Sequence, residues 1–103
     1  MHAIVEANRG KLAQFCRRWK VVEFALFGSV LRADFRPDSD VDCLVTFAPD
    51  ARWTLFDMAR MQDELEALFA RRIHIVSRRG LESSRNYLRR EAILSSAEVV
   101  DVT

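Results

Sequence analysis

Two short stretches hold residues whose types and spacing suit phosphate and metal chemistry. They are Leu26-Phe27-Gly28-Ser29-Val30-Leu31-Arg32 and Pro37-Asp38-Ser39-Asp40-Val41-Asp42-Cys43. Gly28 directly follows an apolar run, and a residue without a Cβ lets another group approach the backbone closely. Ser29 then opens a short helical turn, where its hydroxyl and the backbone N–H groups can hold a phosphate. Arg32, one turn on, can add a guanidinium on the same side. Asp40 and Asp42 stand two apart at the head of a second apolar run. The strand period of two places both on one face. Two carboxylates that close repel unless a cation joins them. Mg²⁺ suits the pair: it is a hard ion content with one or two carboxylates, waters and substrate phosphates.

Each signal alone is weak. D-x-D pairs arise by chance, and Gly-Ser is a common turn. Asp38-Ser39-Asp40-Val41-Asp42 also opens like a calcium loop, but its sixth position is Cys43 instead of Gly and its twelfth is Pro49 instead of Glu. The combination is specific. Gly28-Ser29 closes one apolar strand, ten residues intervene, and Asp40-Val41-Asp42 heads the next.

The elements that must position these groups follow from periodicity. Ile4 to Trp19 reads as one amphipathic helix, with Ile4, Val5, Leu12, Phe15, Cys16 and Trp19 inward. Val21 to Phe27 is a β-branched, apolar strand. Val30 to Ala33 is a helical turn and Asp34 to Ser39 a loop. Asp40 to Phe47 is a strand with Val41, Cys43, Val45 and Phe47 facing the core, closed by Pro49-Asp50. Trp53 to Phe69 is a helix capped by Thr54 or Asp50, with Leu55, Phe56, Ala59, Gln62, Leu65, Leu68 and Phe69 near a 3.6-residue period. Arg72 to Ser77 is a strand, and Gly80 breaks the chain. Ser83 to Ser95 is a helix with Tyr87, Leu88, Ile93 and Leu94 inward. Glu98 to Val102 adds a last short strand. This order predicts a small α/β (α+β) domain with a mixed sheet flanked by helices.

Composition narrows the function. The chain has 103 residues, 50% of them apolar, which is one domain's worth of sequence over 1–103. Three Gly and two Pro argue against disorder. Sixteen basic residues oppose fifteen acidic ones for a net charge of +1, so nothing marks a nucleic-acid binder. Fourteen of the sixteen are Arg, a bias that base composition alone can produce. Two cysteines make neither a disulfide framework nor a zinc site, and Cys43 reads as a core filler. No apolar stretch approaches membrane-spanning length and Met1-His2-Ala3 starts no signal peptide, so the cytoplasm is the expected location. Self-association is left open.

The Gly28-Ser29 turn followed by Asp40-Val41-Asp42 resembles the signature of the DNA polymerase beta-type nucleotidyltransferases. Phe27-Gly28-Ser29, Arg32, Ser39-Asp40 and the chain length resemble its smallest branch, the minimal nucleotidyltransferase (MNT) domains. Arg89-Arg90-Glu91 and Ala97-Glu98-Val99-Val100 are similar to that family's closing helix and strand. The resemblance implies a polymerase beta palm-like fold and a nucleoside triphosphate, ATP, on Gly28, Ser29 and Arg32. It implies Mg²⁺ or Mn²⁺ on Asp40 and Asp42. It further implies a HEPN-domain protein as partner in a toxin–antitoxin pair, with this chain as the antitoxin that transfers AMP to it.

The sequence departs from the family at two places. The family's third carboxylate belongs on the next core strand, where His74 stands. His74 is then a substitute base or ligand, a mark of weakened catalysis, or a plain strand residue with the third acid elsewhere, Glu82 being the nearest in sequence. Ala33 stands where Gly commonly follows the arginine. Arg71-Arg72 and Arg78-Arg79 read as solvated strand-end charges. The alternative function is an MNT domain that neutralises its partner by binding alone, through exposed apolar residues such as Trp53, Phe56 or Trp19. Transfer to a small molecule such as an aminoglycoside is disfavoured, because so short a chain leaves no second domain for an acceptor cleft.

Overall fold

The computed structural model describes residues 3–31 and 40–100, without the side chains of residues 3, 4, 29 and 30. Arg32, Ala33 and the expected loop Asp34 to Ser39 lie outside the described residues. The chain runs α1 (Ala3–Glu6), α2 (Arg9–Arg18), β1 (Val21–Phe27), a 3₁₀ turn (Gly28–Leu31), β2 (Val41–Phe47), α3 (Leu55–Phe69), β3 (Ile73–Ser77), α4 (Arg78–Glu82), α5 (Tyr87–Ser96) and β4 (Glu98–Val100). The four strands form one mixed sheet in the order β3-β2-β1-β4. β1 pairs antiparallel with β2 and β4, and β2 pairs parallel with β3. The parallel pair requires a crossover, which α3 supplies.

Alternation along the strands divides the interior into two layers. On one face Val41, Cys43 and Val45 of β2 join Phe24, Leu26 and Ile73, covered by Leu12, Phe15 and Cys16 of α2 and Met61, Leu65 and Phe69 of α3. On the other face Ala25, Phe27 and Leu44 meet Leu81 of α4 and Ile93 of α5. Asp42 belongs to this second face, so the short helices α4 and α5 frame its surroundings. Both cysteines are buried and free. Burial pushes the Cys16 thiol up to about 11 and the Cys43 thiol higher still, which fits core fillers.

The helices depart from the periodic reading in instructive ways. The expected single helix from Ile4 to Trp19 is two, because Asn8 and Gly10 are weak helix formers and the chain restarts at Asn8. Gly80 lies inside α4 instead of breaking the chain. The Ser77 hydroxyl caps that helix by accepting from the Gly80 N–H at 3.1 Å, and a Cβ on Gly80 would sit 2.9 Å from that oxygen. α5 begins at Tyr87, not Ser83, because the Asn86 side chain accepts from the Arg89 N–H and sets the first turn there. Tyr87 and Leu88 consequently point outward, 60% and 68% exposed. They precede Ile93 by six and five residues, roughly 120–140° around the helix from it.

In α3 the inward stripe is Met58, Met61, Leu65, Leu68 and Phe69, whereas Leu55 and Phe56 are more than 80% exposed. Trp19 is buried and Trp53 packs against it, edge to face at a centroid distance of 5.0 Å. The Trp53 indole also donates to the Trp19 carbonyl at 2.9 Å, so neither tryptophan is the exposed contact residue that the sequence suggested.

Thr54, not Asp50, caps α3. Its hydroxyl accepts from the Asp57 N–H at 3.2 Å while the Asp57 carboxylate accepts from the Thr54 N–H at 2.8 Å. Replacing Thr54 with Ala is expected to cost about 1 kcal/mol. For a domain of this size that lowers the Tm by about 4–8 °C, readable by thermal denaturation.

Candidate active site

The site is built on one row of the sheet. Asp42 pairs with Phe27 on β1 and with His74 on β3, so three neighbouring strands bring Phe27, Asp42 and His74 side by side. Gly28 follows Phe27 with φ +75°, a conformation that L side chains rarely adopt. A Cβ there would run into the Asp42 carboxylate, reaching 3.3 Å from its Cγ. The glycine therefore does what its type allows: it lets the backbone turn directly against a carboxylate. The next residues continue as the 3₁₀ turn, which contains the Ser29 backbone. The Ser29 side chain and all of Arg32 lie outside the described residues.

Asp40 immediately precedes β2, with about a third of its side chain exposed. The His74 Nε2 lies 2.8 Å from its Oδ2, and the Arg72 Nε 3.9 Å from its Oδ1. The Val41 N–H donates to the Arg72 carbonyl at 2.9 Å, fastening the start of β3 beside Asp40. Arg72 is thus a neighbour of Asp40 while remaining the largely solvated strand-end charge the sequence suggested. Arg78 likewise ion-pairs with Glu23 at 3.5 Å and Glu82 at 3.4 Å. Glu82 ends α4, lines a different groove beside Trp53 and Leu55, and supplies no third acid to this row.

Asp42 is half-buried, and desolvation is the main reason its carboxyl titrates above the ordinary carboxylate value. Repulsion from Asp40 adds to the rise, while His74 and Arg89 oppose it. The folded chain therefore holds this proton to a higher pH than the unfolded chain does. The stability contributed by Asp42 is present at acidic pH and declines as pH rises through the raised range. In metal-free buffer, Asp42→Asn is expected to raise the Tm at pH 7 and to flatten that decline, measured by thermal denaturation across pH 3–8.

A cavity of about 460 Å³ opens on this face, lined by Asp42, His74, Phe27, Val76, Ile93 and Arg89. Arg89 carried no role in the sequence reading. The signal was present: Arg89 precedes Ile93 by four residues, so the two share a helix face, and Ile93 packs on the sheet.

Two neighbouring carboxylates, one raised chiefly by desolvation and further by its partner's charge, suit a hard divalent cation. Among the described residues no group of three or more His, Cys, Asp and Glu is arranged to hold a metal ion. Among the described residues the site is thus a two-carboxylate ledge beside an open cavity, with room for water or substrate oxygens as further ligands.

Residues 9–99 match the sequence profile of the nucleotidyltransferase domain. The chain belongs to the nucleotidyltransferase family. This nucleotidyltransferase is 32% identical over 83 residues to the protein adenylyltransferase MntA of Thermococcus cleftensis, covering 81% of this chain and 79% of the relative. It superposes on a solved minimal nucleotidyltransferase with a TM-score of 0.69 at 39% identity, over 91% of this chain and 90% of that one. Two toxin–antitoxin structures share the fold at lower identity. One was solved with AMP-PNP (TM-score 0.67, 19% identity, 89% of this chain and 71% of that one). The other is MntA–HepT (TM-score 0.61, 18% identity, 91% and 69%). The mixed four-stranded sheet flanked by helices is the minimal nucleotidyltransferase architecture expected from the sequence. Among the described residues no helix is long and apolar enough to cross a membrane.

Proposed function

We propose that this nucleotidyltransferase is an antitoxin that transfers AMP from ATP to a hydroxyl of a HEPN-domain partner protein, with Mg²⁺ or Mn²⁺ held by Asp40 and Asp42. The observation that carries the reading is the placement of the two acids at the head of β2, with Gly28 turned against the Asp42 carboxylate. The name of the Thermococcus relative, a protein adenylyltransferase, supports AMP as the group moved. The toxin–antitoxin neighbours, one with AMP-PNP, support the partner class and the nucleotide.

In the reaction an acceptor hydroxyl oxygen forms a bond to the α-phosphorus, the bond to the bridging oxygen breaks, and pyrophosphate leaves. The cation, when bound, neutralises charge that develops on the phosphoryl oxygens. Asp40 and Asp42 would hold it at the head of β2. The backbone of the Gly28-Ser29 turn, with the Ser29 hydroxyl and Arg32, orients the phosphates. His74 stands where the family's third carboxylate belongs. In the tautomer with its hydrogen on Nε2 the ring donates to the Asp40 carboxylate, and Nδ1 is then the acceptor. That nitrogen is the base we assign to the acceptor hydroxyl, while the Nε2–H fixes the orientation of Asp40.

The test uses the purified chain, its cognate HEPN protein and ATP labelled at the α-phosphate. Label is expected on the partner with Mg²⁺ and none with EDTA, and γ-labelled ATP is expected to leave the partner unlabelled. An unlabelled partner under saturating α-labelled ATP and Mg²⁺ would contradict the proposal. A second reading, neutralisation by binding alone, draws on two observations. A histidine engages Asp40 where an acid is expected, and Leu55 and Phe56 are exposed at 86% and 83% on the first turn of α3.

A further inference from the structure

We propose that Arg89 is a phosphate-binding residue, reaching the nucleotide's phosphates from the helical wall of the cavity that Asp42 and His74 line on the sheet side. This rests on the nucleotidyl-transfer reading and adds a third element, α5, to the two already assigned. Arg89 and Asp42 line the same cavity, yet the two do not close to ion-pair distance, and no carboxylate pairs with Arg89 among the described residues. A guanidinium and a carboxylate thus face one space without meeting in it.

The chemistry of that space selects the occupant. A simple carboxylate ligand would satisfy Arg89 but be repelled by Asp42 and Asp40. A phosphate chain whose charge is shared with a cation on the acids satisfies both walls. The apolar surfaces of Phe27, Val76 and Ile93 line the floor between the two walls and offer no competing charge. Arg90, the next residue, is the natural contrast. Its guanidinium donates to the carbonyls of Glu82 at 3.3 Å and Ser84 at 3.5 Å, tying α5 to the preceding turn.

The experiment is calorimetric titration of AMP-PNP and of inorganic tripolyphosphate, each with Mg²⁺, into wild type, Arg89→Ala, Arg89→Lys and Arg90→Ala. Arg89 is exposed, so its substitution leaves the fold intact, which the Tm verifies. Arg89→Ala is expected to weaken both ligands about tenfold or more and by the same factor, with Lys restoring part of the loss. Arg90→Ala is expected to lower the Tm while leaving both affinities within about twofold. Wild-type affinity for tripolyphosphate in Arg89→Ala would overturn the assignment, as would a loss confined to AMP-PNP, which would place Arg89 on sugar or base. Failure of wild type to bind either ligand would overturn the nucleotidyl-transfer reading itself, and this inference with it.

Discussion

The double substitution Asp40→Ala with Asp42→Ala is expected to lower AMP transfer by about a thousandfold or more while leaving a folded chain. The magnitude follows from losing both protein ligands of a charge-neutralising cation, worth several kcal/mol in the transition state, at 1.36 kcal/mol per tenfold in rate. The folded state survives because neither acid supports the core. Asp40 is partly exposed, and Asp42 is held in an environment that resists its charge. Removing a group kept for chemistry at a cost in stability is expected to leave the Tm unchanged or raised. The same variant separates the two readings of function. Under the transferase reading, neutralisation of the partner is lost with the label while the complex still forms. Neutralisation that persists without label would establish inhibition by binding alone. Label transfer is measured by autoradiography and complex formation by size-exclusion chromatography.

Gly28→Ala is expected to cause the second-largest loss, through geometry instead of charge. At φ +75° a non-glycine residue costs roughly 1–2 kcal/mol, and the added methyl would in addition displace the Asp42 carboxylate. A total of about 2 kcal/mol lowers the Tm by about 10 °C. Moving a metal-binding oxygen by about an ångström is expected to slow transfer about a hundredfold. Gly10 provides the control. It lies in α2, and a Cβ there meets nothing within 4 Å. Gly10→Ala should therefore stabilise the chain by about 0.5–1 kcal/mol with transfer unaffected. Thermal denaturation and initial-rate labelling on the two variants read both effects. A Gly28→Ala chain as stable and active as wild type would show that the turn does not constrain Asp42.

The sheet and its acidic edge were legible in the sequence because they rest on local signals. Val21–Phe27 is a dense run of β-branched and aromatic residues stopped by a glycine, and it forms β1 with those bounds. The two-residue spacing of Asp40 and Asp42 and the alternation through Arg72-Ile73-His74 foretold which side chains share a face, and the parallel register sets His74 opposite Asp42. What the sequence could not show depends on which element covers which face. The stripe of α3 runs through Met58 and Met61 instead of Leu55 and Phe56, because docking on the sheet decides among several apolar faces of similar strength. That Arg72 lies near Asp40 and that Arg89 lines a cavity with Asp42 was hidden for the same reason. An arginine reads as a solvated charge until the fold puts a carboxylate or a shared cavity in front of it.

The proposed function returns to one arrangement: Asp40 just before β2 and Asp42 on it would share a divalent cation with a nucleotide's phosphates. Crystals grown with Mn²⁺ and AMP-PNP, measured at the manganese absorption edge, test it directly. The account predicts an anomalous peak bonded to oxygens of both Asp40 and Asp42 and to a phosphate oxygen of the nucleotide. Nucleotide density on the Gly28-Ser29 turn with no manganese between the two acids would contradict it.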